Sequence, residues 1–481
     1  MPLELTPIEN IIKHLLLDVA QYVHTHEIDV DDVKILDHRE TVLRFTGGWV
    51  RDKLLGIDSH DLDVGISSMT GYQFGMALKQ YLDVPKNLEK YKQLRPGSVF
   101  KEEIVSLHKI AANPEKSKHL ETVTTRIFGF DVDLVNLRKE TYSQDSRNPQ
   151  MEFGTATEDA LRRDATVNAL FYNLNTSALE DLTGRGLEDM RNKLIRTPLA
   201  PYQTFRDDPL RVLRLIRFAS RLGYRIDKDT EDAMHNKGIG ASLKLKISRE
   251  RVGSEITRML EGILIIRALV KSILLPKVPG PDPRSALHFI DLLGLYSTIF
   301  ANYQDDAAPD TSTWSLAYDS LEALLRPSPA DDTDAVRRVR NVLTCNASET
   351  YYTWVITAFA PWSSMPTRTE KTPKAKRFLA RAAEVARDSL RAGNRTIAIL
   401  NNASNHFEDV IFLKDSLLGD ALTGTASELR QTVGLSVRAW GHDWRLCVLL
   451  AILQEVMRGD DFLKGMHRWR SSSTTDTNTL F

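Results

Sequence analysis

Thr46-Gly47-Gly48-Trp49-Val50-Arg51-Asp52-Lys53, followed by Asp61-Leu62-Asp63-Val64-Gly65, is the stretch that decides the fold. Val42-Leu43-Arg44-Phe45 before it has the composition of a strand. The glycine pair lets the backbone turn sharply and come close to a ligand. Trp49 to Leu55 then reads as a short helix that stops at Gly56. Free N–H groups at such a helix start favour an anion, and Arg51 adds a positive fork. Asp61 and Asp63 alternate with Leu62, Val64 and Ile66, so a strand here carries both carboxylates on one face. Two acids held side by side suit a hard divalent cation, above all Mg²⁺ with substrate phosphates completing its shell. Each feature alone has a plainer reading, a turn or a solvated strand edge. Together, in one strand-turn-helix-strand unit, they point to metal-assisted phosphoryl chemistry.

Outward from this unit, Thr6-Pro7-Ile8-Glu9 is a capping box opening a helix to about His26, with Ile8, Ile12, Leu15, Leu16 and Val19 on one face. Gly71 to Tyr81 reads as a helix. The segment from about Ile104 to Thr125, with Asn113-Pro114-Glu115-Lys116-Ser117-Lys118, has little periodicity and reads as a loop. Ile127 to Leu137 alternates again, with Phe130, Val132 and Leu134 on one face and Asp131, Asp133 and Val135 on the other. A third carboxylate, Asp133 or its neighbour Asp131, thereby comes within reach of the first pair. Leu170 to Leu174 is a further strand, and Glu180 to Gly186 a glycine-rich turn. From about Arg196 strand signals fade and helices take over.

At 481 residues, two to four domains are expected. The formal net charge of -1 provides no global basic field, so a nucleic-acid partner must be held by local patches. Cys345 and Cys447 are the only cysteines, which fits neither a disulfide framework nor a zinc site. No apolar run is long enough to span a membrane. Met1 to Asn10 carries Glu4 and Glu9 without arginine, unlike a transit peptide.

Three further groups carry chemistry. Asp208, Arg211, Arg214 and Arg217 recur every three residues along a helix. A carboxylate accepts hydrogen bonds and a guanidinium only donates. Asp208 can accept from the exocyclic amine of cytosine or adenine while Arg211 donates to the adjoining ring nitrogen, which rejects uracil and guanine. Arg214 and Arg217 would reach phosphates. The plainer reading is that Asp208-Pro209 caps a helix whose arginines are solvated. Arg162-Arg163-Asp164 offers an arginine, Arg163, for a triphosphate and an acid, Asp164, for a ribose hydroxyl. Arg368 to Arg395 holds nine Lys/Arg against three Asp/Glu, with Lys374, Arg377 and Arg381 at helical spacing. This is either a contact for an RNA phosphate backbone or a solvated helix face.

These residues, in this order, resemble the motifs of class II CCA-adding enzymes, the CTP(ATP):tRNA nucleotidyltransferases of the polymerase β-like superfamily. The metal motif corresponds to Asp61-Leu62-Asp63, the ribose motif to Arg162-Arg163-Asp164, and the turn motif to Asp181-Leu182-Thr183-Gly184-Arg185-Gly186. The base-reading motif corresponds to Asp207-Asp208-Pro209-Leu210-Arg211, where Asp207 stands in place of the family's usual Glu, and the last motif to Ile247-Ser248-Arg249-Glu250-Arg251. The wording is most similar to that of fungal members.

The resemblance implies an α+β chain: a nucleotidyltransferase head with a small mixed sheet over 1–195, then all-α neck (196–265), body (266–360) and tail (361–470), with a disordered end over 471–481. It implies that the tail grips tRNA and that the loop near Asn113 helps the switch from C to A addition. Expected site residues are Asp61, Asp63 and Asp133 for catalysis and Gly47, Gly48, Arg51, Arg163, Asp164, Asp208, Arg211, Arg214 and Arg217 for the nucleotide. Asp61 and Asp63 are expected to hold two Mg²⁺ ions, and CTP, ATP and tRNA are the expected partners of a monomer in cytoplasm and nucleus, with a mitochondrial form possible. The rival expectations are a poly(A) polymerase, a CC-only or A-only enzyme, a non-catalytic tRNA-binding protein and a metal-dependent phosphohydrolase. Against the last, His60-Asp61 and His442-Asp443 lack further spaced histidines.

Overall fold

The computed structural model describes residues 3–30, 33–35, 40–94, 108–110, 122–141, 150–261, 282–301, 307–328, 333–344, 347–368, 378–419 and 425–459. The chain divides into two compact units. One comprises Met1–Arg211, Tyr224–Ala233 and Leu274–Val278, the other Val212–Gly223, Met234–Ile273 and Pro279–Phe481.

The first unit is built on a mixed sheet. Its strands are β3 (Leu43–Thr46), β4 (Asp61–Ile66), β5 (His108–Ile110), β6 (Thr122–Ile127), β7 (Phe130–Asn136), β10 (Leu170–Asn173) and β11 (Ala178–Asp181). Their order is β11-β10-β3-β4-β7-β6-β5, with β4 and β7 parallel and the other neighbours antiparallel. Small two-stranded pairs join β1 (Ile28–Val30) to β2 (Val33–Ile35) and β8 (Arg138–Thr141) to β9 (Gln150–Phe153).

One face of the sheet is apolar because its strands alternate. Leu62, Val64, Val132 and Leu134 are buried against helices α1 (Pro7–Thr25) and α3 (Gly71–Asp83), which contribute Ile12, Leu15, Leu16, Phe74 and Leu78. The capping box of α1 is present as expected, Thr6 accepting from the Glu9 N–H and Glu9 from the Thr6 N–H. Helix α3 lies on the sheet so closely that a Cβ on Gly71 would sit 2.0 Å from the Leu134 carbonyl oxygen.

Two sequence readings change here. The polar segment expected as a loop ends in β6, and β5 lies within it, because Thr122-Val123-Thr124-Thr125-Arg126-Ile127 pairs along β7. The Asn113–Lys118 stretch itself lies outside the described residues. Strands also persist past Arg196, since β12 (Leu194–Ile195) pairs in parallel with β13 (Arg225–Ile226).

Further helices of the first unit are α2 (Gly48–Leu54), α4 (Pro85–Gln93), α5 (Ala156–Leu161), α6 (Gly186–Arg191) and α7 (Pro201–Asp207). Helix α8 (Leu210–Leu222) starts in the first unit and continues into the second.

All elements described after β13 are helical: α9 (Lys228–Met234) lies almost wholly in the first unit, and α10 (Lys237–Lys246) and α11 (Arg249–Leu260) open the second. The core is aromatic. Trp314 and Trp362 are almost wholly buried, and their indole N–H groups donate to the carbonyls of Thr357 and Phe300. Large rings give much apolar burial, and a buried indole needs a partner for its one donor. Ala335, Thr350, Asn405 and Ser436 all fall within helices. Lys374 and the 471–481 end lie outside the described residues. No helix among the described residues is long and apolar enough to cross a membrane.

Candidate active site

The parallel register of β4 and β7 builds the site. It sets Asp61 opposite Asp131 and Asp63 opposite Asp133. Paired residues of neighbouring strands share a face, so four carboxylates line the side of the sheet away from α1 and α3. Burial pushes the Asp63 carboxyl up to about 6, and the charges of Asp133 and Asp61 add to that against the opposing pull of Arg163. Asp63 is thus a crowded acid that gains from a cation.

The two candidates for the third carboxylate differ in surroundings. Asp131 is 61% exposed and lies 3.9 Å from Arg126. Asp133 accepts a 2.6 Å hydrogen bond from the Thr124 hydroxyl. Among the described residues, no three His, Cys, Asp or Glu side chains converge to enclose an ion. The acids form an open row, and open positions are what substrate oxygens need at a Mg²⁺ site. The hard oxygen donors and the raised Asp63 pKa fit such a cation.

Gly47 closes on this row. Its φ is +72°, and a Cβ there would stand 2.9 Å from Asp63 Oδ2 and 3.2 Å from Arg163 Nη1. A side chain is excluded both by conformation and by space. Gly48 opens α2 behind it.

Arg163 faces the same place. Its Nε and Nη2 donate to Asp159 Oδ2 at 3.1 and 2.9 Å, its Nη1 donates to the Asn168 carbonyl at 3.1 Å, and it stacks 4.9 Å over Phe171. Asp164 is buried and accepts from the Asn168 amide at 3.1 Å. Arg51 is turned inward rather than presented to solvent. It is 4% exposed, its Nε donates to Asp52 at 2.8 Å, and its Nη1 donates to the side-chain oxygen of Asn168.

Asn168 therefore joins the glycine turn to the Arg163-Asp164 pair, a role the sequence reading missed. It ends the short 3-10 turn Thr166–Asn168, and no spacing in the sequence announced that role. Asp159, which accepts from Arg162, Arg163 and the Arg138 N–H, was missed as well.

At the start of α8, Asp208 Oδ1 accepts from the Leu210 N–H at 3.1 Å, so the capping reading of Asp208 holds. Arg211, on the same turn, lies 3.7 Å from Glu140 of β8. In the second unit, Arg217 donates to the buried Glu255 of α11 at 2.7 Å, and Arg214, 35% exposed, lies 3.7 Å from the same residue. Asp181 of the turn motif caps α6, accepting from the Gly186 and Leu187 N–H groups.

Of the expected tail cations, Lys374 and Arg377 lie outside the described residues. Arg381 differs from expectation. It is 4% exposed, donates to Glu384 at 3.0 Å and lies 5.3 Å over the Trp362 ring, so it is not on a surface that meets a phosphate backbone.

Residues 43–196 match the family model of the poly A polymerase head domain. Over 463 residues, 94% of this chain, it is 40% identical to nucleotidyltransferase lcsQ of Purpureocillium lilacinum, covering 72% of that protein. It is 31% identical to tRNA nucleotidyltransferase cca2 of Schizosaccharomyces pombe, over 93% of this chain and 81% of that one. It is 49% identical to the mitochondrial CCA tRNA nucleotidyltransferase of Saccharomyces cerevisiae, over 55% of this chain but only 43% of the yeast enzyme's length. Among solved structures, a CCA-adding enzyme in an apo form shares the fold, with a TM-score of 0.56 at 17% identity, over 97% of this chain and 84% of that one. Nucleotidyltransferases of this superfamily generally use divalent metal ions. Glycine turn, acid row, Arg51, Arg163 and Arg211 stand in one unit, and the matches to relatives extend over nearly the whole chain; this protein belongs to the CCA tRNA nucleotidyltransferase family.

Proposed function

We propose that this chain adds C, C and A to the 3′ end of tRNA from CTP and ATP without a nucleic-acid template. The observation that carries the reading is the β4–β7 register, which stacks Asp61, Asp63 and Asp133 beside the Gly47 turn. The tRNA 3′-hydroxyl attacks the α-phosphorus in line, and pyrophosphate leaves. Asp61 and Asp63, with Asp133, would hold two Mg²⁺ ions, which lower the hydroxyl's pKa and neutralise the leaving charge.

The protein's own groups do the rest. The Gly47 turn brings backbone and Arg163 against the triphosphate. Thr124 holds Asp133 in place for the hydroxyl's proton. Arg51 acts through Asn168, fixing the turn relative to Arg163 and Asp164. Asp164 accepts from a ribose hydroxyl. Asp208 accepts from the exocyclic amine of C or A and Arg211 donates to the ring nitrogen beside it, so uracil and guanine present a carbonyl to a carboxylate. Arg214 and Arg217 both lie against Glu255, and the more exposed Arg214 is the one read as meeting a phosphate. A monomer working in cytoplasm and nucleus, with a mitochondrial form, completes the reading; the yeast relative is named as mitochondrial.

The test is incubation of tRNA lacking its CCA end with CTP, ATP and both, with products resolved to the nucleotide. Addition of CC from CTP and of the final A when both are present supports the full activity. Addition of CC alone, or of A only to a CC-ended tRNA, identifies a split-function enzyme. A long A tract identifies a poly(A) polymerase. Arg211→Ala is expected to erode the preference for C and A over U; full retention would overturn the base-reading assignment.

A further inference from the structure

Glu140 lies outside every motif named above, yet it sits at the junction between the acid strand and the base-reading residues. Strand β8 follows β7 with only Leu137 between them. The Glu140 side chain is 7% exposed and faces three guanidinium groups. Its Oε1 accepts from Arg162 Nη1 at 2.9 Å and lies 3.2 Å from Arg138 Nε. Its Oε2 lies 3.7 Å from Arg211 Nη2. Asp159 braces the other side, accepting from Arg162 and from the Arg138 N–H.

Positive charge is in excess here. Burial and the neighbouring Arg162 push the Arg138 guanidinium down to about 10. A nearly buried acid shared by three arginines has its direction fixed by all of them. It is therefore a rigid support for the one arginine that begins α8.

We propose that Glu140 is a positioning residue for nucleotide choice: through its second carboxylate oxygen it holds the Arg211 guanidinium at the angle at which that group meets the base. The proposal rests on the reading of Arg211 as a base reader. Glu140 touches no substrate. Its removal takes one charged brace from Arg211, and a guanidinium held less closely in direction discriminates less between the carbonyl of uracil and the ring nitrogen of cytosine.

The experiment compares the full-length protein with its E140Q, E140D, R211A and E140Q/R211A variants. The readout is the ratio of kcat/KM for CTP to that for UTP on tRNA lacking its CCA end, with thermal unfolding as a check on the fold. E140Q keeps the shape and loses the charge. The expected result is a fall of about tenfold in the C-over-U ratio for E140Q, a smaller fall for E140D, and no further fall when E140Q is added to R211A. A merely structural role lowers both kcat/KM values alike and leaves the ratio unmoved, which would overturn the proposal. So would an equal fall from E140Q in the wild-type and R211A backgrounds. If E140Q does not fold, E140D decides by the same ratio. An unmoved ratio in R211A itself overturns the base-reading assignment and this inference with it. A moved ratio in R211A beside an unmoved one in E140Q overturns this inference alone.

Discussion

Arg163 and Arg381 make a pair worth setting side by side, one from each compact unit. Both are largely buried, both hold an acid three or four residues away in the chain, and both lie over an aromatic ring, Phe171 at 4.9 Å and Trp362 at 5.3 Å. Their surroundings differ. Arg163 stands against the acid row, its Nη1 and Asp63 Oδ2 both close on the Gly47 turn. Arg381 is closed in by a helix, 381–390, whose residues are buried on nearly every side. A buried arginine with an acid partner thus says little about function; the further acids crowded beside it say more.

The largest break in this comparison comes from the acid row. Asp61→Ala is expected to reduce nucleotide incorporation by about three orders of magnitude, with the fold retained, since Asp61 is exposed and its carboxylate adds to like charge at Asp63. Single-turnover incorporation and thermal unfolding measure the two effects separately. Incorporation at the wild-type rate would remove the acids from the mechanism.

Gly47→Ala is the next largest. The new Cβ meets Asp63 Oδ2 and Arg163 Nη1 at a left-handed φ, so activity is expected to fall on the order of a hundredfold, with about 1 kcal/mol of stability lost. Steady-state kinetics with CTP and urea unfolding read the two numbers.

Arg381→Ala tests the other member of the pair. Leaving Glu384 buried with a partner removed is expected to cost about 3 kcal/mol of stability, read as the urea midpoint, while CTP incorporation per folded molecule stays the same. A loss of tRNA affinity in the still-folded variant would return Arg381 to the RNA-binding list.

The smallest effect is expected at Cys447. Burial pushes its thiol up to about 12, so a thiol reagent near neutral pH is expected to leave it unmodified in the native protein and to react once urea unfolds the chain. Mass spectrometry of the labelled protein reads both states.

The parts of this protein legible in its sequence are those set by short-range periodicity. Alternation in Asp61–Ile66 and Phe130–Asn136 separates acids from apolar residues without reference to anything distant. Thr6 with Glu9, and Asp208 with Pro209, announce helix starts because a cap is a contact within one turn. The glycine pair announces a turn for the same reason. Illegible were the partners drawn from far along the chain: Asn168 for Arg51, Glu140 for Arg211, Glu255 for Arg217 and Thr124 for Asp133. Strand β6 escaped notice because its threonines and arginine resemble a surface loop until β7 pairs with them.

By itself the sequence determined which faces carry charge, since side-chain direction repeats every two residues on a strand and every 3.6 on a helix. Only the tertiary structure decided which charged face opens onto a site and which is sealed inside a core, as Arg163 and Arg381 show. Burial depends on what packs from the other side, and that neighbour comes from elsewhere in the chain.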